Sequence, residues 1–360
     1  MRRRRCTATT PCDDGPMSDV APTVLTHVER GVGVITLNRP QKINAVTVEM
    51  LGLVERALDA WQDDPTVTAV LLQGAGPRGF CAGGDIAWIH ANVTDDPRRS
   101  VDMWRREYRG TLRLSRWPKP IVSLLDGIAM GAGIGLGGHV TLRVVTERSS
   151  LGMPETRIGL SPDAGGSFLL SRAPGELGTH LALTGRAMTA ADALHTGFAD
   201  VVVPSADLAR VLPALAEGGV DAVRALGIPA GPSELAAARD WIDEAYRGDD
   251  ARAVVRRLRD LASSGLVEAG AVADDLEAAS PTSVVLTLEA RRRAARLPDL
   301  EAVLGQELGI VTSLAASPDL AEGIRARVVD KDRRPRWSPA TLDEVDVAAT
   351  LATVDWTTRL

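Results

Sequence analysis

"GMPETRIGLSPDAGG" (residues 152–166) carries two carboxylates, Glu155 and Asp163, eight positions apart; each follows a proline, and glycines crowd both ends. Proline fixes φ and glycine removes the Cβ, so the acids sit on stiff backbone that another group can approach closely. Read alone, the stretch also fits two turns. Asp163 suits a turn or the N-cap of a helix over 165–172, and Glu155 suits a turn. Two other glycine-rich stretches precede it, "GFCAGGDI" (79–86) and "DGIAMGAGIGLGG" (126–138). The first follows the buried-strand run "VTAVLLQGAG" (67–76), and the second opens at the end of another, "PIVSLLDG" (120–127). Bare N–H groups in the first, and at a helix start in the second, suit an oxygen that gains negative charge.

Outward from these stretches, the chain alternates strand and helix. "TVLTHVERGVGVITLN" (23–38) reads as a hairpin turning at Glu29-Arg30-Gly31, and 46–62 has helical periodicity that "DDP" stops. The charged stretch 95–116 reads as helix, and "AADALHTGFADVVVP" (190–204) as helix, glycine stop and short strand. Such alternation predicts an α/β layer architecture. From 206 onward the pattern is successive amphipathic helices, with Ser233 and Ser283 as N-caps. The expected organisation is a disordered tail at 1–18, an α/β core over 19–205, a helical region over 206–345 and a C-terminal tail over 346–360.

Composition narrows the function. The net charge of −6 argues against a general nucleic-acid binder, which must neutralise phosphates. Cys6, Cys12 and Cys81 form neither a disulfide framework nor a zinc spacing, and the five histidines are scattered; a reduced cytoplasmic protein without metal fits. The first twenty residues lack the apolar run of a secretory signal. Residues 121–140 have the length of a membrane span, but Asp126 and six glycines interrupt them, so no membrane partner is expected. Gly133-x-Gly135-x-x-Gly138 matches a dinucleotide fingerprint in form only, because it lies inside a helix rather than at its opening turn.

As a set, "NRPQKINAV" (38–46), "GFCAGGDI", "DGIAMGAGIGL" (126–136) and "GMPETRIGLSPDAGGSFLL" (152–170) resemble the enoyl-CoA hydratase/isomerase (crotonase) superfamily. The resemblance implies a crotonase-like spiral of ββα units with a C-terminal helical region, a homo-oligomer (trimer or hexamer) and an acyl-CoA substrate. It implies no cofactor, CoA being part of the substrate. The N–H groups of Gly84 and Ala132 would form an oxyanion hole for the thioester oxygen; Ala132 stands where glycine is usual, with its N–H intact. Glu155 matches the second of two hydratase glutamates. The first falls on Gly135, which has no side chain, and Asp163 stands where hydratases carry glycine. Together with "SPTSVVLTLEA" (280–290) and "ELGIVTSLAASPDLAEGIRARVVDKDRRPRWSPATLDEV" (307–345), this is similar to the 3-hydroxyisobutyryl-CoA hydrolase branch, which acts in valine breakdown. Within it, Glu155 and Asp163 would be catalytic and Glu107 would contact substrate; Lys42, Ala82, Asp85 and Ile86 would meet CoA. The implied reaction is hydrolysis of a short-chain β-hydroxyacyl-CoA. The alternatives are a one-acid enoyl-CoA hydratase or isomerase, and a non-catalytic acyl-CoA binder.

Overall fold

Val24–Glu29 (β1) and Val32–Leu37 (β2) form the expected hairpin, turning through Arg30 and Gly31, both at positive φ. The computed structural model describes residues 21–360, so the disorder expected of 1–18, and Cys6 and Cys12, lie outside the described residues. After α1 (Val48–Gln62), capped by Thr47, the chain lays down β3 (Ala69–Gly74) and β4 (Gly79–Cys81). The helical stretch expected over 95–116 is α3 (Pro97–Ser115), and a separate helix, α2 (Ile86–Asp95), precedes it. The break falls at Asp96, whose carboxylate caps α3 through the Arg98 N–H, with Pro97 at the first helical position. Then come β5 (Ile121–Leu124), β6 (Ile128–Met130), α4 (Ala132–Gly137), β7 (Leu142–Val145) and β8 (Ser150–Gly152). The run 121–140 is thus two short strands and a short helix, and no helix among the described residues is long and apolar enough to cross a membrane.

Further along lie α5 (Gly166–Leu170), α6 (Leu177–Thr184), α7 (Ala190–Thr196), β9 (Val201–Val202) and α8 (Val211–Arg224). The helices α9 (Glu234–Ala245), α10 (Ala251–Ser263), α11 (Val267–Ala278) and α12 (Pro281–Ala294) follow. The chain ends with α13 (Leu300–Ala315), α14 (Pro318–Ile324) and α15 (Val347–Ala352). Ser233 caps α9 as expected. Ser283 does not cap α12. Ser280 does, because Pro281 fits the first helical position and moves the cap one residue before it.

The strands make two sheets. One has the order β1-β2-β3-β5-β7-β9, parallel from β2 onward; the other is the parallel trio β4-β6-β8. The chain visits them in turn (β3 then β4, β5 then β6, β7 then β8), which is the expected spiral of ββα units in an α/β fold. Alternate residues of the large sheet serve two cores. Ile35, Val70, Leu72 and Val145 pack with α1 through Leu51, Val54 and Leu58, while Val34, Leu71, Val122 and Val144 pack with α8 through Val211 and Leu215. Burial on both faces is why these strands read as unbroken hydrophobic runs.

The small sheet places the site. β4, β6 and β8 each end at one of the three glycine-rich stretches, so those stretches converge at one edge. The helical region closes over them. Thr287 of α12 donates to the Ser161 hydroxyl at 3.0 Å, and the Ser280 N–H donates to the Thr156 carbonyl at 3.2 Å. Residues 346–360, set apart as a tail on sequence, carry α15. They pack Val354, Trp356 and Leu360 into the apolar cluster of α3, α13 and α14.

Candidate active site

Backbone geometry comes first. Val46 donates to the Gly83 carbonyl and accepts from the Asp85 N–H, both at 2.9 Å, so Gly84 is held between two bonded neighbours while its own N–H faces the other way. Ala132 is the first residue of α4, where a helix N–H has no intrahelical acceptor. Neither N–H meets an acceptor among the described residues. Both residues line one cavity of about 170 Å³, together with Glu107, Glu155, Asp163 and the apolar wall Ile89, Trp104 and Leu160. The loop behind Gly84 is stapled by Asn44, which the sequence did not mark. Its side-chain amide donates to the carbonyls of Ala75, Gly79 and Phe80 at 3.0–3.1 Å, and its oxygen accepts the Arg39 N–H at 2.9 Å.

Glu155 opens a short 3-10 turn (Glu155–Ile158) directly after Pro154. Its Oε1 lies against Gly131, where an added Cβ would sit 2.8 Å from it; Gly131 also has φ +51, so this junction tolerates only glycine. Its Oε2 is buried with no hydrogen-bond partner among the described residues. A buried carboxylate oxygen left open in this way fits a water or a substrate atom. Asp163 Oδ2 accepts the Tyr108 hydroxyl at 2.7 Å. Glu107 is 2% exposed and Glu307, from α13, is fully buried. Glu307 accepts the Gly165 N–H at 2.7 Å through one oxygen and the Ser167 N–H at 2.9 Å through the other.

Four buried carboxyl groups thus lie near one another, three of them lining the cavity. Burial pushes Asp163 up to about 6, with the Tyr108 hydroxyl opposing it. Burial, then the Asp163 charge, holds Glu155 well above the ordinary carboxylate range, and Glu107 is raised by burial, Asp163 and Glu307. Burial pushes Glu307 up to about 8 against the pull of the Gly165 N–H. Mutually repelling, desolvated acids of this kind hold protons near neutral pH, the range that acid/base chemistry uses.

Gly135 is walled off. A Cβ there would lie 2.8 Å from the Ala164 Cβ and 3.1 Å from Thr111 Oγ1. Ala164 cannot step back freely, because it is itself held at φ +51 beside Gly165 at +86. No second acid can reach the cavity from position 135. Gly135→Ala is expected to cost about 1–3 kcal/mol in denaturant unfolding and to lower turnover by pushing on the Ala164–Asp163 backbone.

The structure gathers Gly84, Ala132, Glu107, Glu155 and Asp163 around the cavity, and Ala82 and Ile86 also line it. Asp85 does not. Its carboxylate pairs with Arg39 at 3.0 Å and accepts the Trp88 N–H at the start of α2, a structural cap. Lys42 stands exposed on the turn Pro40–Lys42, away from the lining. Sequence reading missed Tyr108 and Glu307. Tyr108 adjoins Glu107, and Glu307 is a lone charge in the apolar run "VLGQELGIV" (303–311), a signal of a buried polar role.

Comparison with known proteins agrees with this geometry. Residues 32–353 match the family model described as enoyl-CoA hydratase/isomerase. The 3-hydroxyisobutyryl-CoA hydrolase, mitochondrial, of Gallus gallus is 34% identical over 340 residues, 91% of this chain and 87% of that protein. The Homo sapiens protein of the same name is likewise 34% identical, with the same coverage. Among solved structures, a carnitinyl-CoA dehydratase from Mycobacterium thermoresistibile superposes with a TM-score of 0.88 at 44% identity, covering 93% of this chain and 96% of that one. An enoyl-CoA hydratase from Rhodobacter sphaeroides 2.4.1 gives 0.86 at 38% identity, covering 92% and 97%. Spiral fold, unpaired N–H groups beside a buried carboxylate and a match over most of the length converge: this chain belongs to the enoyl-CoA hydratase/isomerase family.

Proposed function

We propose that the chain hydrolyses a short-chain β-hydroxyacyl-CoA, with 3-hydroxyisobutyryl-CoA as substrate and 3-hydroxyisobutyrate and CoA as products. The closed Gly135 position carries this reading: hydration across a double bond uses two acids on either side of a water, and here one place is sealed while Asp163 lines the cavity with Glu155. The names of the hydrolase relatives support the same substrate.

In this mechanism the thioester oxygen lies between the N–H groups of Gly84 and Ala132, which stabilise the charge it gains as the carbonyl carbon is attacked. Glu155 either attacks that carbon, giving a mixed anhydride and expelling CoA thiolate before water cleaves the anhydride, or takes a proton from the attacking water. Both routes add one water and release acid and thiol. Asp163, oriented by Tyr108, accepts the substrate 3-hydroxyl, and Glu107 contacts the acyl group. Ala82 and Ile86 line the entry of the CoA arm, and the Lys42 ammonium meets a phosphate. The reading extends to valine breakdown, a bacterial cytoplasm and a homo-oligomer; family membership supports the last.

Thiol release from 3-hydroxyisobutyryl-CoA, with crotonyl-CoA absorbance followed in parallel, tests the proposal. Free thiol with stable crotonyl-CoA supports hydrolysis. Loss of crotonyl absorbance without thiol moves the chain to the hydratase reading, which the descriptions of the two solved structures favour.

The acids make a further prediction about pH. Activity that needs Glu155 ionised is lost as pH falls through its raised pKa. The Asp163 charge is part of what raises it, so Asp163→Asn moves the acidic limb of the kcat/KM profile to lower pH even as the maximum rate drops. An unmoved limb would show that the two groups do not share the charge.

A further inference from the structure

Glu307 comes from a helix 140 residues beyond the loop it grips, and the mechanism above leaves it unused. Its two oxygens take the N–H groups of Gly165 and Ser167 in a fork, at 2.7 and 2.9 Å. The gripped backbone is unusual: Ala164 and Gly165 are both left-handed, at φ +51 and +86. A left-handed residue followed by a right-handed one, as Gly165 is by Gly166 at the start of α5, turns the N–H groups around it inward into a concave anion seat. Here the seat is filled by the chain's own carboxyl group, that of Glu307. The Asp163 carbonyl is fixed in the same turn, accepting the Gly166 N–H at 2.7 Å. Asp163 is therefore one peptide from a left-handed pair that alanine at 164 disfavours, and the two hydrogen bonds to the buried Glu307 carboxyl offset that cost.

We propose that Glu307 is a positioning residue for Asp163: by holding the Gly165 and Ser167 N–H groups, it sets the Asp163 carboxyl between the Tyr108 hydroxyl and Glu155 and keeps Ala164 over Gly135. This rests on the function proposed above for Asp163. It also gives the helical region a part in the chemistry, because the loop of Asp163 takes its shape from α13. The titratable groups facing Glu307 are Asp163 on its own loop, Glu107 and Tyr108 on α3, and Glu155. His139, just past the end of α4, packs against Gly165, is pushed down to about 3 by burial and is neutral.

The test is a double-mutant cycle. Glu307→Gln, which keeps the shape but turns an amide N–H₂ toward a backbone N–H, is measured alone and with Asp163→Asn. Glu307→Asp, one methylene shorter with both oxygens kept, is the milder second variant. Alone, Glu307→Gln is expected to lower kcat on the order of 100-fold with KM changed by less than about threefold, the cost of a misplaced group rather than lost binding. In the Asp163→Asn background the same change is expected to cost less than about threefold, because the residue it positions is gone. Glu307→Asp falls between wild type and Glu307→Gln. Amide exchange over 163–168 rises in both Glu307 variants while exchange over 132–138 stays as in wild type. Equal losses in both backgrounds, or unaltered exchange over 163–168, overturn the proposal. If the wild type consumes crotonyl-CoA without releasing thiol, the hydrolase reading fails and the cycle is read on that turnover instead. If it does neither, exchange alone decides whether Glu307 holds the loop.

Discussion

Glu155→Gln is expected to lower kcat for thiol release by about 10³-fold or more and to leave KM within about threefold. Glutamine keeps the volume and the contact with Gly131 but can neither attack a carbonyl nor take a proton from water. The unpartnered Oε2 is what makes the loss large, since no neighbouring group is bonded there to take over. Folding is separated from chemistry by thermal melts. The folded state holds the Glu155 proton to higher pH than the unfolded chain does, because burial and Asp163 raise its pKa. The ionisable side chain therefore loses stability as pH rises from the ordinary carboxylate range through the folded pKa. Glutamine carries no such loss, so the variant is expected to melt at or above the wild-type temperature at alkaline pH. A variant that is inactive and also melts lower there would point to a collapsed site rather than a missing base.

The same substitution sorts the two routes for hydrolysis. A single wild-type turnover in ¹⁸O-labelled water places label on Glu155 if a mixed anhydride forms and water opens it at the enzyme carbonyl. If Glu155 only activates water, label enters the product acid alone. In either case the Glu155→Gln variant turns over too slowly to exchange label, so label in its peptide spanning position 155 would count against an attack by this side chain.

What the sequence showed of this site, and what it hid, follows from how each part is built. The proposed oxyanion donors belong to backbone, and backbone needs announce themselves locally: glycines after strands mark Gly84, and a strand running into a glycine-rich helix marks Ala132. Glu155 and Asp163 are fixed by adjacent prolines and glycines in one stretch. Tyr108 and Glu307 reach Asp163 and its loop from helices, and although the lone charge at 307 marks a buried polar role, what either side chain touches is decided by tertiary packing. Gly135 shows the point from the other side. Its lack of a side chain was legible, but the wall that Ala164 and Thr111 build against it was not. Boundaries behaved likewise. The cap of α12 moved from Ser283 to Ser280 because one proline outweighs general start signals, and the Asp96-Pro97 pair starts the helix expected over 95–116 at 97, just after another helix has ended. The last fifteen residues have too little pattern to suggest packing, yet Trp356 donates to the Leu351 carbonyl at 3.0 Å and takes the Arg293 guanidinium over its ring at 4.3 Å.

Ala132→Pro removes one of the two proposed oxyanion donors and is expected to lower kcat/KM by at least about 10²–10³-fold, or roughly 3–4 kcal/mol of transition-state stabilisation. The backbone accommodates the change. Ala132 is the first residue of α4, where proline's fixed φ suits the helix and its missing N–H breaks no helical bond. The usual clash of a proline ring with the preceding residue is relieved, because Gly131 has no Cβ and its ψ of −120 turns its own nitrogen away. The ring carbon that replaces the hydrogen also stands where the thioester oxygen would lie, so KM rises along with the fall in kcat. Ala132→Gly is the control: it keeps the N–H, costs about 0.5–1 kcal/mol of helix stability, and is expected to retain most activity. Loss in the proline variant with retention in the glycine variant places the thioester oxygen at the Ala132 N–H, the fall in kcat reading the lost donor and the rise in KM the ring carbon. Comparable activity in all three would mean that the charge on the thioester oxygen is stabilised elsewhere, and Gly84 would then have to carry the oxyanion without its partner.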